Sequence, residues 1–113
     1  MRKKFAINQI ICADSRELSK FIKPNSVALT VTSPPYRNAI NYSQHVRNAR
    51  SGKNKSFRGN EKGTLEQYLD DMKKIFSEVN RVTMPGGFCC IVIADELSEG
   101  TLIPLPSLLA SRL

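Results

Sequence analysis

The sequence predicts an α/β fold with a mostly parallel sheet and helices on both faces. Apolar, strand-like runs alternate along the chain with runs of helical spacing. The first strand, helix and strand fit into about 30 residues, the length of a βαβ unit with a right-handed crossover. With 113 residues, 41% of them apolar, the chain is at most one small domain, or part of a larger one.

Three elements are predicted before the first long loop. Residues 5–12 (FAINQIIC) predict a strand that ends on Asp14. Residues 15–22 (SRELSKFI) carry apolar side chains at helical spacing and predict a helix. Residues 26–31 (SVALTV) are short, apolar and rich in β-branched side chains, which predicts a strand buried on both faces.

The clearest predicted helix begins at Thr64, which fits a capping box with Gln67. Its apolar side chains recur at helical spacing and form one stripe. They are Leu65, Tyr68, Leu69, Met72, Ile75, Phe76 and Val79. Near the end of the chain, residues 103–113 (IPLPSLLASRL) predict the start of another helix.

A turn and a third parallel strand are predicted between these two helices. MPGG (84–87) supplies the turn, and FCCIVIAD (88–95) supplies a buried strand that ends on Asp95. In such sheets, ligands bind outside the carboxyl ends of the strands. Asp14, TSPPY (32–36) and Asp95 each follow a predicted strand, so we expect them on one rim. Each aspartate alone is also a common helix cap.

The positive charge is concentrated in one polar segment. A formal net charge of +7 favours an anionic partner, with nucleic acid ahead of membrane. Between Arg37 and Lys62, seven Lys or Arg residues and one Glu give a local charge of +6. Loops as long as residues 41–63 are usually functional or disordered. The first residues do not resemble a signal peptide, and no stretch has the length of a transmembrane helix.

The cysteines and the histidine do not predict a metal site. Cys12, Cys89 and Cys90 lack Cys-x-x-Cys spacing and lie in apolar, strand-like runs. We interpret them as buried small hydrophobic residues in a reducing cytoplasm. His45, the only histidine, has no carboxylate or cysteine partner in its loop, so neither metal binding nor triad chemistry is supported.

The stretch TSPPY predicts a rigid set of hydrogen-bond acceptors beside an aromatic ring. Its prolines fix φ and remove two N–H donors, while Ser33 adds a hydroxyl and Tyr36 a flat face. These groups suit an exocyclic amino group on a planar base, because acceptors can hold its hydrogens while the ring stacks. Acceptors that pull the amino nitrogen towards tetrahedral geometry also localise its lone pair for attack on an activated methyl group. A stiff turn without a catalytic role is the alternative for this motif alone.

Three blocks of the chain, in the family's order, resemble the amino-methylating (N4-cytosine and N6-adenine) DNA methyltransferases. TSPPY resembles their catalytic motif, Asp/Asn/Ser-Pro-Pro followed by an aromatic residue. Residues 7–36 are similar to the family's opening, residues 33–45 to the stretch after the motif, and residues 68–95 to the later helix, Pro-Gly-Gly turn and strand. Serine preceded by threonine is typical of the cytosine-N4 enzymes, while most adenine-N6 enzymes carry aspartate.

The resemblance implies a partial S-adenosylmethionine-dependent methyltransferase (Rossmann-like) fold, with residues 1–113 as the amino-terminal part of one catalytic domain. It implies that Ser33 and the Pro34 carbonyl accept from the target amino group of a base flipped out of double-stranded DNA. Pro35 would keep the turn rigid, and Tyr36 would stack on the base. The methyl group would be transferred directly from S-adenosylmethionine.

The resemblance also implies the binding residues. Asp14 and Thr32 are assigned to the cofactor, although Ala13 stands where the family usually has glycine. The basic loop (41–63 and the residues leading into it) would follow the phosphate backbone, unless it is only a solvated loop. The DNA-binding residues assigned there are Arg37, Arg47, Arg50, Lys53, Lys55 and Arg58.

One part of the family pattern is absent from the sequence. The first glycine is Gly52, so no Gly-rich (Phe-x-Gly-x-Gly-like) cofactor loop precedes TSPPY. In the circularly permuted class, this loop lies well downstream of the Pro-Gly-Gly turn. We therefore expect a truncated or split methyltransferase, inactive alone, that a second chain with the Gly-rich loop could complete. The family context implies a bacterial or archaeal cytoplasmic protein of a restriction–modification system.

Two alternatives stay open beside cytosine-N4 methylation. The first is an adenine-N6 DNA methyltransferase, because serine in place of aspartate is only a tendency. The second is a non-catalytic DNA-binding remnant or subunit. RNA guanine methylation is less favoured, because those enzymes place the Gly-rich loop upstream.

Overall fold

A computed structural model describes residues 7–35 and 64–113. The elements in chain order are a 3₁₀ helix (Ser15–Lys20), β1 (Val27–Thr32), α1 (Leu65–Val82), β2 (Thr83–Ile91), β3 (Glu96–Ser98), β4 (Thr101–Ile103) and α2 (Leu105–Arg112). This order confirms the α/β class. None of the helices in the described ranges is both long enough and apolar enough to span a membrane.

The central pair of strands is parallel, as the sequence predicts. Leu29 lies opposite Phe88, and Thr32 lies opposite Ile91. Consecutive side chains of a strand point to opposite faces of the sheet. One face therefore carries Thr30, Thr32, Cys89, Ile91 and Ile93, and the other carries Leu29, Val31, Phe88, Cys90 and Val92.

The predicted MPGG turn lies inside β2, where it forms an irregularity of the ladder. The register passes from Val27 opposite Thr83 directly to Leu29 opposite Phe88, so β2 takes up extra residues. Gly86 lies within this bulge at φ +79, a backbone conformation that glycine adopts without steric cost. The turn residues thus bend one strand rather than separate two elements.

Helix α1 supplies most of the core and is predicted well. Its capping box is present, since the Gln67 backbone N–H donates to Thr64 Oγ1 (3.2 Å) and the Thr64 N–H donates to Gln67 Oε1 (2.9 Å). Its apolar stripe is buried from Tyr68 to Val79, against Leu105 and Leu109 of α2. Burial of this stripe, rather than local propensity, stabilises the helix.

The predicted strand over residues 5–12 is wrong for its described part. Residues 7–12 form no strand, and the side chains of Ile7 and Ile10 are exposed. No other described segment runs beside them to supply hydrogen bonds. A strand needs such a partner, because unpaired backbone groups bond to water instead. The prediction of three parallel strands is therefore reduced to two.

Burial of the sheet and of the cysteines was also predicted wrongly. Leu29, Val31 and Phe88 are 57%, 66% and 71% exposed, so β1 is not covered on both faces. The three cysteines are exposed as well. For the face that carries Leu29, Val31, Phe88 and Cys90, the physical reason is that α1 packs against the other side of the sheet and no described element covers this one.

The carboxyl-terminal region contains a hairpin that the sequence analysis missed. Strands β3 and β4 pair antiparallel around Glu99 and Gly100, both at positive φ, as a two-residue hairpin turn requires. The predicted strand 88–95 therefore ends at Ile91, and Asp95 lies between β2 and the hairpin. The helix predicted within 103–113 is confirmed as α2, and its Arg112 bonds Glu66 of α1 at 2.7 Å.

Candidate active site

The SPP turn, defined here as Ser33–Pro34–Pro35, begins where β1 ends. The Thr32 carbonyl accepts from the Val92 N–H at 2.8 Å, so the parallel ladder continues to the last residue of the strand. Because β1 and β2 run in the same direction, their carboxyl ends lie at one edge of the sheet. The SPP turn therefore starts at the edge where ligands bind in sheets of this type.

The three residues of the turn differ in their surroundings. The Ser33 side chain is exposed, and its hydroxyl makes no hydrogen bond with any residue in 7–35 or 64–113. Pro34 is buried, and Pro35 is half-buried. The buried proline anchors the turn, and among the described residues nothing occupies the exposed Ser33 hydroxyl as a hydrogen-bond acceptor.

A contact from α1 completes the turn. The Tyr68 hydroxyl donates to the Pro35 carbonyl oxygen at 3.0 Å, and the Tyr68 side chain is only 2% exposed. The sequence analysis placed Tyr68 in the apolar stripe and missed this bond. The available signal was the residue type, since a buried tyrosine hydroxyl usually has a hydrogen-bond partner.

Asp14 caps the 3₁₀ helix rather than ending a strand. Its carboxylate accepts from the Arg16 backbone N–H at 2.9 Å and from the Arg16 guanidinium at 2.6 Å. These hydrogen bonds hold the pKa of the Asp14 carboxyl at about 2, below its ordinary value of 3.8. The charged form therefore predominates at neutral pH, and the side chain stays 43% exposed.

The 3₁₀ helix that follows Asp14 is tied to α1. Glu78 accepts from the Ser19 backbone N–H at 3.0 Å and from the Ser19 hydroxyl. These bonds lower the pKa of Glu78 below its ordinary value, and Arg81 adds to the effect. Tyr68 and Glu78 are ten residues apart, about 15 Å along the helix axis. Helix α1 thus supports both the SPP turn and the segment that carries Asp14.

The other predicted site residues lie outside the described ranges. These are Tyr36 and the six basic residues assigned to DNA. Asp95 is described and exposed, close in sequence to the end of β2. The structure thus places Thr32 and the SPP turn together, on an edge shared with the end of β2, and places Asp14 on a separate segment supported by α1.

The comparison with known protein families decides to which family the chain belongs. A family model described as DNA methylase, covering N6 and N4 enzymes, matches residues 27–109, well over half of the 113 residues. The chain belongs to this amino-methylating DNA methylase family. The matched residues include β1, the SPP turn, α1 and the hairpin.

Individual relatives agree with this assignment. The type II beta methyltransferase M.BslI of Bacillus sp. (strain NEB-606) is 33% identical over 95 residues, which cover 84% of this chain and 9% of that protein. Crystal structures of TTHA0409, a candidate DNA modification methylase from Thermus thermophilus, and of its selenomethionine derivative are 28% identical. Their TM-scores are 0.59 and 0.58, and each covers 88% of this chain.

This chain is short beside these relatives. It spans 36% and 34% of the two Thermus chains and 9% of the Bacillus enzyme. The similarity to the Thermus structures includes the α/β arrangement with a parallel sheet. The fold and the family are therefore established over the matched residues.

Proposed function

We propose that this DNA methylase chain forms the amino-terminal part of a catalytic domain that methylates the exocyclic N4 amino group of cytosine in double-stranded DNA. The observation that carries the proposal is the SPP turn at the carboxyl end of β1. There, a buried proline holds an exposed Ser33 hydroxyl that bonds to no described residue. The type II name of the Bacillus relative supports a place in a restriction–modification system.

The turn supplies what an amino group needs in order to react. Ser33 Oγ and the Pro34 carbonyl accept its two N–H hydrogens, which pulls the nitrogen towards tetrahedral geometry and localises its lone pair. The nitrogen would then bond to the methyl carbon as the methyl–sulfur bond of S-adenosylmethionine breaks, with its electron pair staying on sulfur as a neutral thioether, and would lose one proton to solvent. Serine is a weak base, so the proton leaves after the nitrogen has become cationic. Tyr36 stacks on the flipped base.

The residues present fit one part of S-adenosylmethionine, which supplies an electrophilic methyl group when bound. The exposed, ionised Asp14 carboxylate is a suitable acceptor for the adenosine hydroxyls, while Arg16 holds its orientation. Thr32 lies beside the SPP turn at the end of β1. A Gly-rich loop for the methionine part is absent from the sequence.

We infer that the chain alone does not transfer methyl groups and that a further segment or second chain completes it, as in the circularly permuted class. The exposed sheet face supports this inference, because Leu29, Val31 and Phe88 are each more than half exposed. The missing Gly-rich loop supports it independently. Methyl transfer from labelled S-adenosylmethionine to DNA should appear only when the product of an adjacent downstream reading frame is added.

Contact with DNA rests on the basic segment that follows the SPP turn. Its local charge of +6 suits the phosphate backbone, and such attraction is largely independent of sequence. The six Lys and Arg residues assigned to DNA all lie in it. The protein would therefore act in the bacterial or archaeal cytoplasm, where DNA and S-adenosylmethionine are both available.

The identity of the methylated base tests the proposed reaction directly. Mass spectrometry of nucleosides from DNA methylated by the completed enzyme should detect N4-methylcytosine. Detection of N6-methyladenine instead would show that the enzyme methylates adenine. DNA binding without transfer, unaffected by Ser33→Ala and by the cofactor, would identify a non-catalytic remnant.

A further inference from the structure

The hydrogen bond between Tyr68 and Pro35 joins two parts of the chain that are 33 residues apart in sequence. The donor is almost completely buried, at 2% exposure, and the accepting residue is half-buried. A hydroxyl placed in an apolar stripe costs free energy unless it is hydrogen-bonded. The position would accept phenylalanine on packing grounds, so the hydroxyl requires its own explanation.

The hydrogen bond to the Pro35 carbonyl holds the last residue of the SPP turn in place. A peptide unit is planar, so fixing the Pro35 oxygen also fixes the orientation of the Pro35 carbonyl group at the end of the turn. With the Pro35 oxygen bonded to Tyr68, the oxygens of the SPP turn that have no donor among the described residues are the Ser33 hydroxyl and the carbonyls of Ser33 and Pro34. The Pro35 oxygen therefore has a structural role in bonding α1, and the other oxygens can accept from a substrate.

We propose that Tyr68 is a positioning residue for methyl transfer, which fixes the Pro35 carbonyl so that Ser33 and the Pro34 carbonyl are aimed at the target amino group. This role rests on the proposed function, because it assumes that the SPP turn receives an amino group. Tyr68 does not touch the substrate in this role; it acts through the turn. The role predicts a loss of rate rather than a loss of binding.

The variant Tyr68→Phe removes only the hydroxyl and keeps the ring in the core. Thr83→Val is the matched control, because the Thr83 hydroxyl donates to the Val79 carbonyl at 2.7 Å at the opposite end of α1. Each variant removes a half-buried hydroxyl that donates to a backbone carbonyl, in one case from α1 and in the other to α1. A purely structural effect would therefore appear in both.

The state of the turn can be read by NMR without any activity. Pro35–Tyr36 is the only Pro-Tyr pair in the sequence, so proline labelled with ¹³C at the carbonyl and tyrosine labelled with ¹⁵N give one carbonyl correlation. Tyr68→Phe should shift this ¹³C resonance upfield, because the carbonyl loses its donor. Thr83→Val should leave it in place. An unshifted resonance in Tyr68→Phe would overturn the proposal.

Kinetics then test whether the positioned turn matters for the reaction. With the chain and the downstream product combined, Tyr68→Phe should lower kcat on the order of 10–100-fold. KM for DNA and for S-adenosylmethionine should change less than about twofold, and Thr83→Val should retain the wild-type kcat. Equal kcat for Tyr68→Phe and the active wild type would overturn the positioning role alone. Complete inactivity of the wild type would overturn the proposed function and, with it, this role.

Discussion

In the proposed reaction, the hydroxyl groups of Ser33 and Tyr68 have opposite tasks in one turn. The Ser33 hydroxyl is exposed and bonds to no residue in the described ranges, whereas the Tyr68 hydroxyl is buried and donates to Pro35. An acceptor that is to receive a substrate must be accessible, and a group that holds the backbone is best shielded from water. The exposure of the two hydroxyl groups supports the proposed division of roles.

A close approach at Gly87 gives a prediction at the residue scale. A Cβ there would lie 2.8 Å from the Thr83 Cγ2 atom and 3.0 Å from the carbonyl oxygens of Ala28 and Met84. Gly87→Ala should therefore lower the free energy of unfolding by about 1–3 kcal/mol, as overpacking does. Denaturant unfolding monitored by circular dichroism measures this change.

The control for Gly87→Ala removes the nearest clashing atom. Adding Thr83→Ser deletes the Cγ2 methyl but keeps the hydroxyl, so the double variant should recover part of the loss. Recovery should be incomplete, because the two backbone oxygens remain. A Gly87→Ala variant as stable as the wild type would show that β1 and β2 do not approach so closely at the bulge.

At the residue scale, part of the candidate site could be predicted from the sequence and part could not. The acceptors of TSPPY were predictable, because proline and serine have a fixed chemistry wherever they occur. The Tyr68 bond was not, because its partner lies 33 residues away and only the folded chain brings them together. The helical spacing of apolar residues correctly predicted that Tyr68 is buried, but it carries no information about the partner of the Tyr68 hydroxyl.

At the scale of elements, Glu78 connects the 3₁₀ helix to α1 in a pH-dependent way. Its pKa is lowered in the folded chain by hydrogen bonds from Ser19, with Arg81 adding to the effect. A lowered folded-state pKa means that the contribution to stability is present above the ordinary value of 4.5. It is lost as the pH falls through the folded-state value.

The variant Glu78→Gln tests this connection, because it keeps an acceptor oxygen and removes the titration. As the pH falls below the ordinary value of 4.5, the wild type should lose more stability than the variant, measured by thermal unfolding. The Asp14 carboxyl, whose pKa is about 2, titrates in both proteins and cancels in the comparison. Parallel pH profiles would argue against the role assigned to Glu78.

Elements differ in how far sequence alone predicts them. Helix α1 was predicted with its cap and its buried stripe, because both signals are local and act within the helix itself. Residues 5–12 are also rich in apolar side chains and were predicted as a strand. Residues 7–12 form no strand, because no described segment pairs with them. The β3–β4 hairpin was missed because its turn has Glu99 at positive φ. Glutamate rarely adopts this conformation, so the sequence Glu-Gly does not indicate a two-residue hairpin turn as Asn-Gly does.

At the scale of the whole molecule, one face of the sheet carries exposed apolar side chains. They include Val31, Phe88 and Val92, which are 66%, 71% and 60% exposed. Contiguous apolar surface of this kind marks an interaction site. The proposed completing segment gives it an occupant, so this surface should be accessible in the chain alone and protected in the completed enzyme.

Phe88→Lys tests this surface. It should reduce the fluorescence of a dye that binds apolar surface, measured on the chain alone. It should also prevent the downstream product from restoring methyl transfer, because a charge in a covered apolar face is costly. Asn80→Lys adds the same charge on the exposed side of α1 and should change neither measurement. Full activity of completed Phe88→Lys would contradict burial of this face.

The central claim is that the SPP turn of this DNA methylase chain holds the amino group that is methylated. Transfer from labelled S-adenosylmethionine to DNA by the completed enzyme, measured beside DNA affinity, tests it most directly. Ser33→Ala should lower kcat on the order of 100-fold or more while DNA affinity stays unchanged. Ser26→Ala, which removes the exposed Ser26 hydroxyl that donates to the Lys23 carbonyl ahead of β1, should keep the wild-type rate. An undiminished rate in Ser33→Ala would contradict the account.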